Sequence, residues 1–184
     1  MLAWLKSNST THRAATDLYG CVVAQAREPV FYRDFGVPDT AEGRYEMIVL
    51  HMFAVIERLR NNAQTRDAER LARELTSVFV TDMDDNFREM GVGDLTVPRK
   101  VKKAAGALYD RTMAYRALAG DGDADGLAAA LAENCGLGGA TVNGAALAHY
   151  LKQLERSLAE QPDAGLLAGQ VQFDSVPWPG ACQP

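Results

Sequence analysis

The 184 residues carry a formal net charge of −5, with 47% hydrophobic and 23% charged residues. That balance excludes a disordered chain and a general affinity for nucleic acid, and the length suffices for one domain burying about 70% of its unfolded surface without disulfides or a structural metal. Cys21, Cys135 and Cys182 are odd in number and far apart, which excludes a disulfide frame or a paired-cysteine metal knuckle and places the chain in a reducing compartment.

The N-terminal M1-L-A-W-L-K-S is too short and too weakly charged for a signal or transit peptide, so it reads as a frayed end and cytoplasmic placement is expected. Helical periodicity then recurs with almost no strand signal. The expected class is all-α: a single compact helical domain of about six helices over residues 10–169, with an extended, loosely held C-terminal tail over residues 170–184.

A first helix is expected over residues 12–27, with Leu18, Val22 and Ala26 on one stripe, and Pro29 either closes it or begins a short extra turn. Asp39 followed by Glu42 resembles a capping box opening a helix over residues 41–60. Met47, Leu50, Met52, Phe53 and Val55 spread apolar surface around that helix, the pattern of a central, buried element. His51 interrupts the apolar run and Glu57 and Arg58 follow it, so it falls short of the ~20 residues a bilayer span needs.

The next helix, over residues 67–90, carries Leu71, Leu75, Phe79, Met83 and Phe87 at four-residue steps, with Met90 alongside and Gly91 as its C-terminal cap. Its end contains T81-D-M-D-D-N-F, which begins like a calcium loop: Asp82, Asp84 and Asn86 occupy the first, third and fifth ligand positions. Phe87 stands where the turn glycine must be, and Gly93 where the bidentate glutamate must be, so no metal is expected there. Helical spacing instead aligns Asp82 and Asn86 with Val78 and Met90 and turns Asp84, Asp85 and Arg88 towards solvent.

After a connector, Thr96 as cap and Pro98 in the first turn open a helix reaching residue 119. A flexible acidic loop over residues 120–126, a short Ala-rich helix over 125–134, a Gly-rich turn over 136–139 and a last long helix over 142–160 complete the domain.

Candidate chemistry is sparse. His12, His51 and His149 lack a second His or Cys at ligand spacing, and no phosphate loop, dinucleotide fingerprint or nucleophile elbow occurs, so neither metal nor cofactor is expected. Along a helix only Asp82/Asp85 and Asp85/Glu89 can pair, and nothing nearby desolvates them, which favours an exposed acidic face over an acid–base dyad. The enzymatic alternative would use Asp82, Asp85 and His51, without a nucleophile or cofactor cradle.

The run R99-K-V-K-K103 is more informative. Positive side chains in a helix's first turn oppose its dipole at about 0.3–1 kcal/mol each. Either Asp94 and the acids before it screen Lys100, Lys102 and Lys103 within a hairpin, or the basic group faces an outside anion, an acidic partner or anionic lipid.

Three segments together, A24-Q-A-R-E-P-V-F-Y32, V37-P-D-T-A-E-G-R-Y-E-M-I-V-L-H-M-F-A-V-I-E-R-L-R60 and D82-M-D-D-N-F-R-E-M-G-V-G-D-L-T-V-P-R-K-V-K-K103 followed by Tyr109, resemble the ubiquinol–cytochrome c chaperone family, the cytochrome b assembly factors of mitochondria and alphaproteobacteria. The resemblance implies an all-helical, non-enzymatic chaperone that binds newly made cytochrome b during assembly of the bc1 complex, peripheral at the cytoplasmic face of the inner membrane. It places one family block on Asp82, Asp84, Arg88, Glu89, Gly91, Gly93, Asp94, Pro98 and Lys102, and another on Pro38, Asp39, Gly43, Arg44, Leu50, His51, Arg58 and Arg60. Joined by Asp85, Arg99, Lys100 and Lys103, the charged and glycine positions of the first block, with Arg44 and Arg58, make up the expected partner-binding set. Tyr45 and Phe87 depart mildly from the family pattern, and the missing transit peptide points to an alphaproteobacterial member. Met47, Met52, Met83 and Met90 are adaptable contact candidates whose main expected role is core packing.

Overall fold

A helix without a polar face has to sit in the middle of a fold, and α3 (Ala41–Asn61) does: every residue from 46 to 55 is buried. The computed structural model describes residues 2–61, 65–136, 139 and 141–174, with side chains from residue 9 onward. Around α3 pack α1 (Leu2–Ala26), α4 (Arg66–Glu89), α5 (Val97–Gly120), α6 (Ala124–Cys135) and α7 (Gly144–Glu160). Two five-residue helices, α2 (Pro29–Arg33) and α8 (Asp163–Leu167), bring the described set to six long helices and two short ones. The extra turn at Pro29 is therefore formed, and it drives Phe31 into the core.

The start of the chain differs from expectation. Helix α1 begins at Leu2, where a frayed end was expected, because neither Gly nor Pro interrupts the sequence before Gly20. The cap of α3 differs too. Thr40 Oγ1 accepts from the backbone N–H of Gly43 at 3.1 Å, while Asp39 accepts from Arg44 Nε at 2.7 Å, so the Asp39–Glu42 capping box gives way to a stronger charge-assisted bond. Gly43 is required by a close approach: a Cβ there would stand 2.0 Å from the carbonyl oxygen of Pro38.

In α4 the expected stripe is buried from Leu71 through Leu75 and Phe79 to Met83, and Phe87 packs at its margin. Met90 does not continue it and is 59% exposed, because the helix ends one residue earlier. Gly91 adopts φ +75° and its N–H bonds Arg88 O, while the N–H of Val92 bonds Phe87 O, a paired closure that only a left-handed residue allows. The loop between α5 and α6 is shorter than the acidic stretch expected, since Asp123 caps α6 by accepting from Gly126 N at 2.8 Å. Asn143 caps α7 in the same way through Ala146 N.

Helix α5 is joined to the central helix largely through polar groups. Tyr45 donates to Ala104 O at 2.7 Å, Arg111 pairs with the buried Glu46, and Arg116 grips Glu57 with two N–H donors at 2.6 and 3.0 Å. Residues 170–174 are extended as expected yet are held in place: Gln161 exchanges two hydrogen bonds with the backbone of Gln172, and the Phe173 ring lies 5.7 Å from that of His51. The rest of the expected tail, 175–184 with Cys182, lies outside the described residues, while Cys21 and Cys135 are free thiols.

Candidate partner-docking surface

The acidic end of α4, the residue 90–96 turn and the basic start of α5 form one hairpin, so the residues singled out in both helices share one end of the molecule. The turn is closed from inside by the Gly91 bonds and by Gly93, whose carbonyl accepts from the N–H groups of Thr96 at 2.7 Å and Val97 at 3.2 Å. Val97 is fully buried and anchors the start of α5. Thr96 makes no side-chain cap, contrary to expectation, because those two backbone bonds already commit the turn.

The acids do not meet the lysines. Asp82 accepts from the Tyr19 hydroxyl at 2.7 Å, tying α4 to α1. Asp84 and Asp94 both accept from Arg88, the latter at 2.8 Å, so the arginine staples the helix end to the turn. Asp85, Glu89, Arg99, Lys102 and Lys103 are exposed and stand in no ion pair with any described residue. Lys100 lies 5.5 Å from the centroid of the Phe87 ring, a cation–π contact that links the two helices without neutralising the charge. Of the two arrangements the sequence left open, screening of the lysines by Asp94 and its neighbours is thus not the one adopted: the carboxylates are consumed by Arg88 and Tyr19.

Between these charges the turn exposes apolar surface. Leu95 is 99% exposed, and Met90 stands beside the same turn. Sequence periodicity missed both, reading Met90 as part of the core stripe and Leu95 as connector; the signal available was the placement of a large aliphatic residue between two glycines and a proline.

Arg44 and Arg58 do not converge. Arg44 precedes Tyr45, which reaches α5 at Ala104, so it lies at the hairpin end of α3. Arg58 is fourteen residues farther on, about 21 Å along the axis. Its guanidinium is 11% exposed and donates to Leu158 O at 2.6 Å and to Gln161 O and Asp163 Oδ1 at 2.7 Å, clamping the end of α7 to α8. An open cleft of about 590 Å³ beside it is lined by Glu57, Arg58, Glu155 and Asp163 among others.

The constellation Asp82, Asp85 and His51 is not assembled either. Asp82 is engaged by Tyr19, Asp85 faces solvent, and His51 is buried among Phe31, Tyr150 and Phe173. No described helix is long and apolar enough to cross a membrane.

A model of the ubiquinol–cytochrome C chaperone family matches residues 33–173, which includes α2 through α8 almost entirely. The chain belongs to the ubiquinol–cytochrome c chaperone family. The crystal structure of the Cbp3 homolog from Brucella abortus superimposes on this family member with a TM-score of 0.80 at 35% identity, covering 96% of this chain and 98% of that one. Among curated protein sequences, none matches significantly. The family match extends past the segments the resemblance rested on and takes in the whole α6–α7 half of the chaperone fold.

Proposed function

We propose that this chain is a non-enzymatic assembly chaperone that holds newly synthesised cytochrome b while the ubiquinol–cytochrome c reductase (bc1) complex is built, working at the cytoplasmic face of the membrane. Family membership supports the chaperone role. The observation that carries the client reading is the unpaired basic group of Arg99, Lys100, Lys102 and Lys103 beside the exposed Leu95 and Met90. A polytopic membrane protein emerging from synthesis presents apolar segments bordered by charged loops. A shallow apolar tip fringed by unneutralised charge suits such a client, since rim charges set partner choice and encounter rate while leaving the complex able to dissociate.

Reversing Lys100, Lys102 and Lys103 to Glu tests this. The triple variant should keep its helical circular dichroism and lose co-purification with cytochrome b from a native membrane extract; unaltered co-purification removes this surface from the proposal. The protruding Leu95 beside four cations also suits an anionic bilayer surface. Flotation with anionic liposomes at low and high salt separates that reading, because lipid binding through the lysines has to weaken as salt screens them.

A further inference from the structure

The solvent face of α5 differs from that of its neighbour. Exposed positions of α4 are charged or hydroxylic along most of its length, from Arg66 and Glu69 to Thr81 and Asp85. In the middle of α5 they are Gly106, Tyr109, Met113, Ala114 and Ala117, with Tyr109 65% and Met113 45% exposed. Spacings of three and four residues place Gly106, Tyr109, Met113 and Ala117 on one stripe. A glycine inside an exposed helix costs about 1 kcal/mol relative to alanine. Nothing within this chain asks for it at 106, since a Cβ there would meet no atom within 4 Å and its φ is not positive.

Charge is ordered along the same helix. The N-terminal end carries Arg99, Lys102 and Lys103, exposed and outside any described ion pair, and the C-terminal end runs into Asp121, with Asp123 and Asp125 beyond. The face therefore reads basic, then small and apolar, then acidic.

The geometry points to a second copy of this chain as the occupant: two α5 helices pack antiparallel about a twofold axis level with Arg111 and Thr112. In that register Lys102 comes level with the partner's Asp121, Gly106 with the partner's Ala117, and Tyr109 with the partner's Ala114. Each cation meets an acid, the bulky ring meets a small residue, and the two smallest side chains let the helix axes approach closely. Any other helix would have to bring the same order of charge reversed; α5 carries it already, and a twofold pairing of one patch with itself is the commonest way soluble chains associate. A single helix pair is smaller than a standard stable interface, so the dimer is reversible and concentration-dependent. Lys102 and Lys103 belong to both this face and the proposed client surface, so a second copy and a client exclude each other.

Sedimentation equilibrium of the full chain without any client tests the association independently of the client reading. The native chain should show a monomer–dimer equilibrium. Lys102→Glu and Asp121→Lys should each weaken it about tenfold, since each replaces two ion pairs by two repulsions per dimer. An equimolar mixture of these two variants should regain the native association. Gly106→Leu should weaken dimerisation while leaving thermal stability equal or higher, which separates a packing role from a folding defect. A chain that stays monomeric at every concentration, a dimer indifferent to these substitutions, or a mixture that fails to recover overturns the proposal.

Discussion

The hydroxyl of Tyr150 stands 2.8 Å from Nε2 of His51, joining α7 to α3 inside the core. The other ring nitrogen, Nδ1, lies 2.7 Å from the carbonyl oxygen of Met47, which can only accept. His51 therefore carries its proton on Nδ1, and Nε2 accepts from Tyr150, whose oxygen in turn accepts from Gln25 at 3.3 Å. The imidazole is neutral and its bonding complete.

Burial holds the His51 pKa down to about 4, against an ordinary value of 6.5, with the Met47 carbonyl opposing the shift. The unfolded chain thus takes up this proton before the folded one does. Its contribution to stability is whole above pH 6.5 and is lost progressively as pH falls towards 4, amounting to about 2 kcal/mol by pH 5. Urea unfolding at pH 7 and pH 5 checks this: the native chain should lose about that much more than a His51→Gln variant, whose amide can bond without titrating.

Glu46 and Arg111 predict a coupled response. Burial pushes the Glu46 carboxyl upwards and the guanidinium partly offsets it. Arg111→Met leaves a carboxylate that is 2% exposed with no counter-charge and should cost about 3 kcal/mol. Glu46→Met combined with Arg111→Met should recover most of that loss in the same denaturation assay, because an apolar pair of similar volume needs no desolvation.

Two glycines should fail differently on substitution by alanine. At Gly43 the new Cβ collides with the Pro38 carbonyl, so α3 has to shift away from its own entry turn, at a cost of about 3 kcal/mol. At Gly91 no atom lies within 4 Å, and only the left-handed backbone resists, at about 1 kcal/mol. Differential scanning calorimetry of the two variants ranks them.

Arg58 should behave as a structural clamp. Arg58→Ala strips three bonds from the α7–α8 junction and should destabilise the chain by about 2–3 kcal/mol, with faster amide exchange over residues 158–170. Its capture of cytochrome b should fall only as far as the folded fraction does. A loss of capture by fully folded Arg58→Ala would return this residue to the docking set.

The amino-acid order alone determined the helical class, the central place of α3 and the family, because these rest on local quantities: apolar period, glycine and proline punctuation, and contiguous motifs around Asp39, Asp82 and Pro98. It also located the hairpin that brings the acidic and basic runs together. It did not determine which acid meets which cation. Asp84 and Asp94 reach Arg88 while Glu46 and Glu57 reach Arg111 and Arg116, choices made by how α5 lies against α3 across some sixty intervening residues. For the same reason Arg58, near Arg44 in a motif, lies at the far end of the molecule, and Leu95, unmarked by any period, is its most exposed apolar side chain. Local pattern reports which face of a helix prefers water; only the packed chain decides what stands opposite that face, and unpaired charge exists only by that decision.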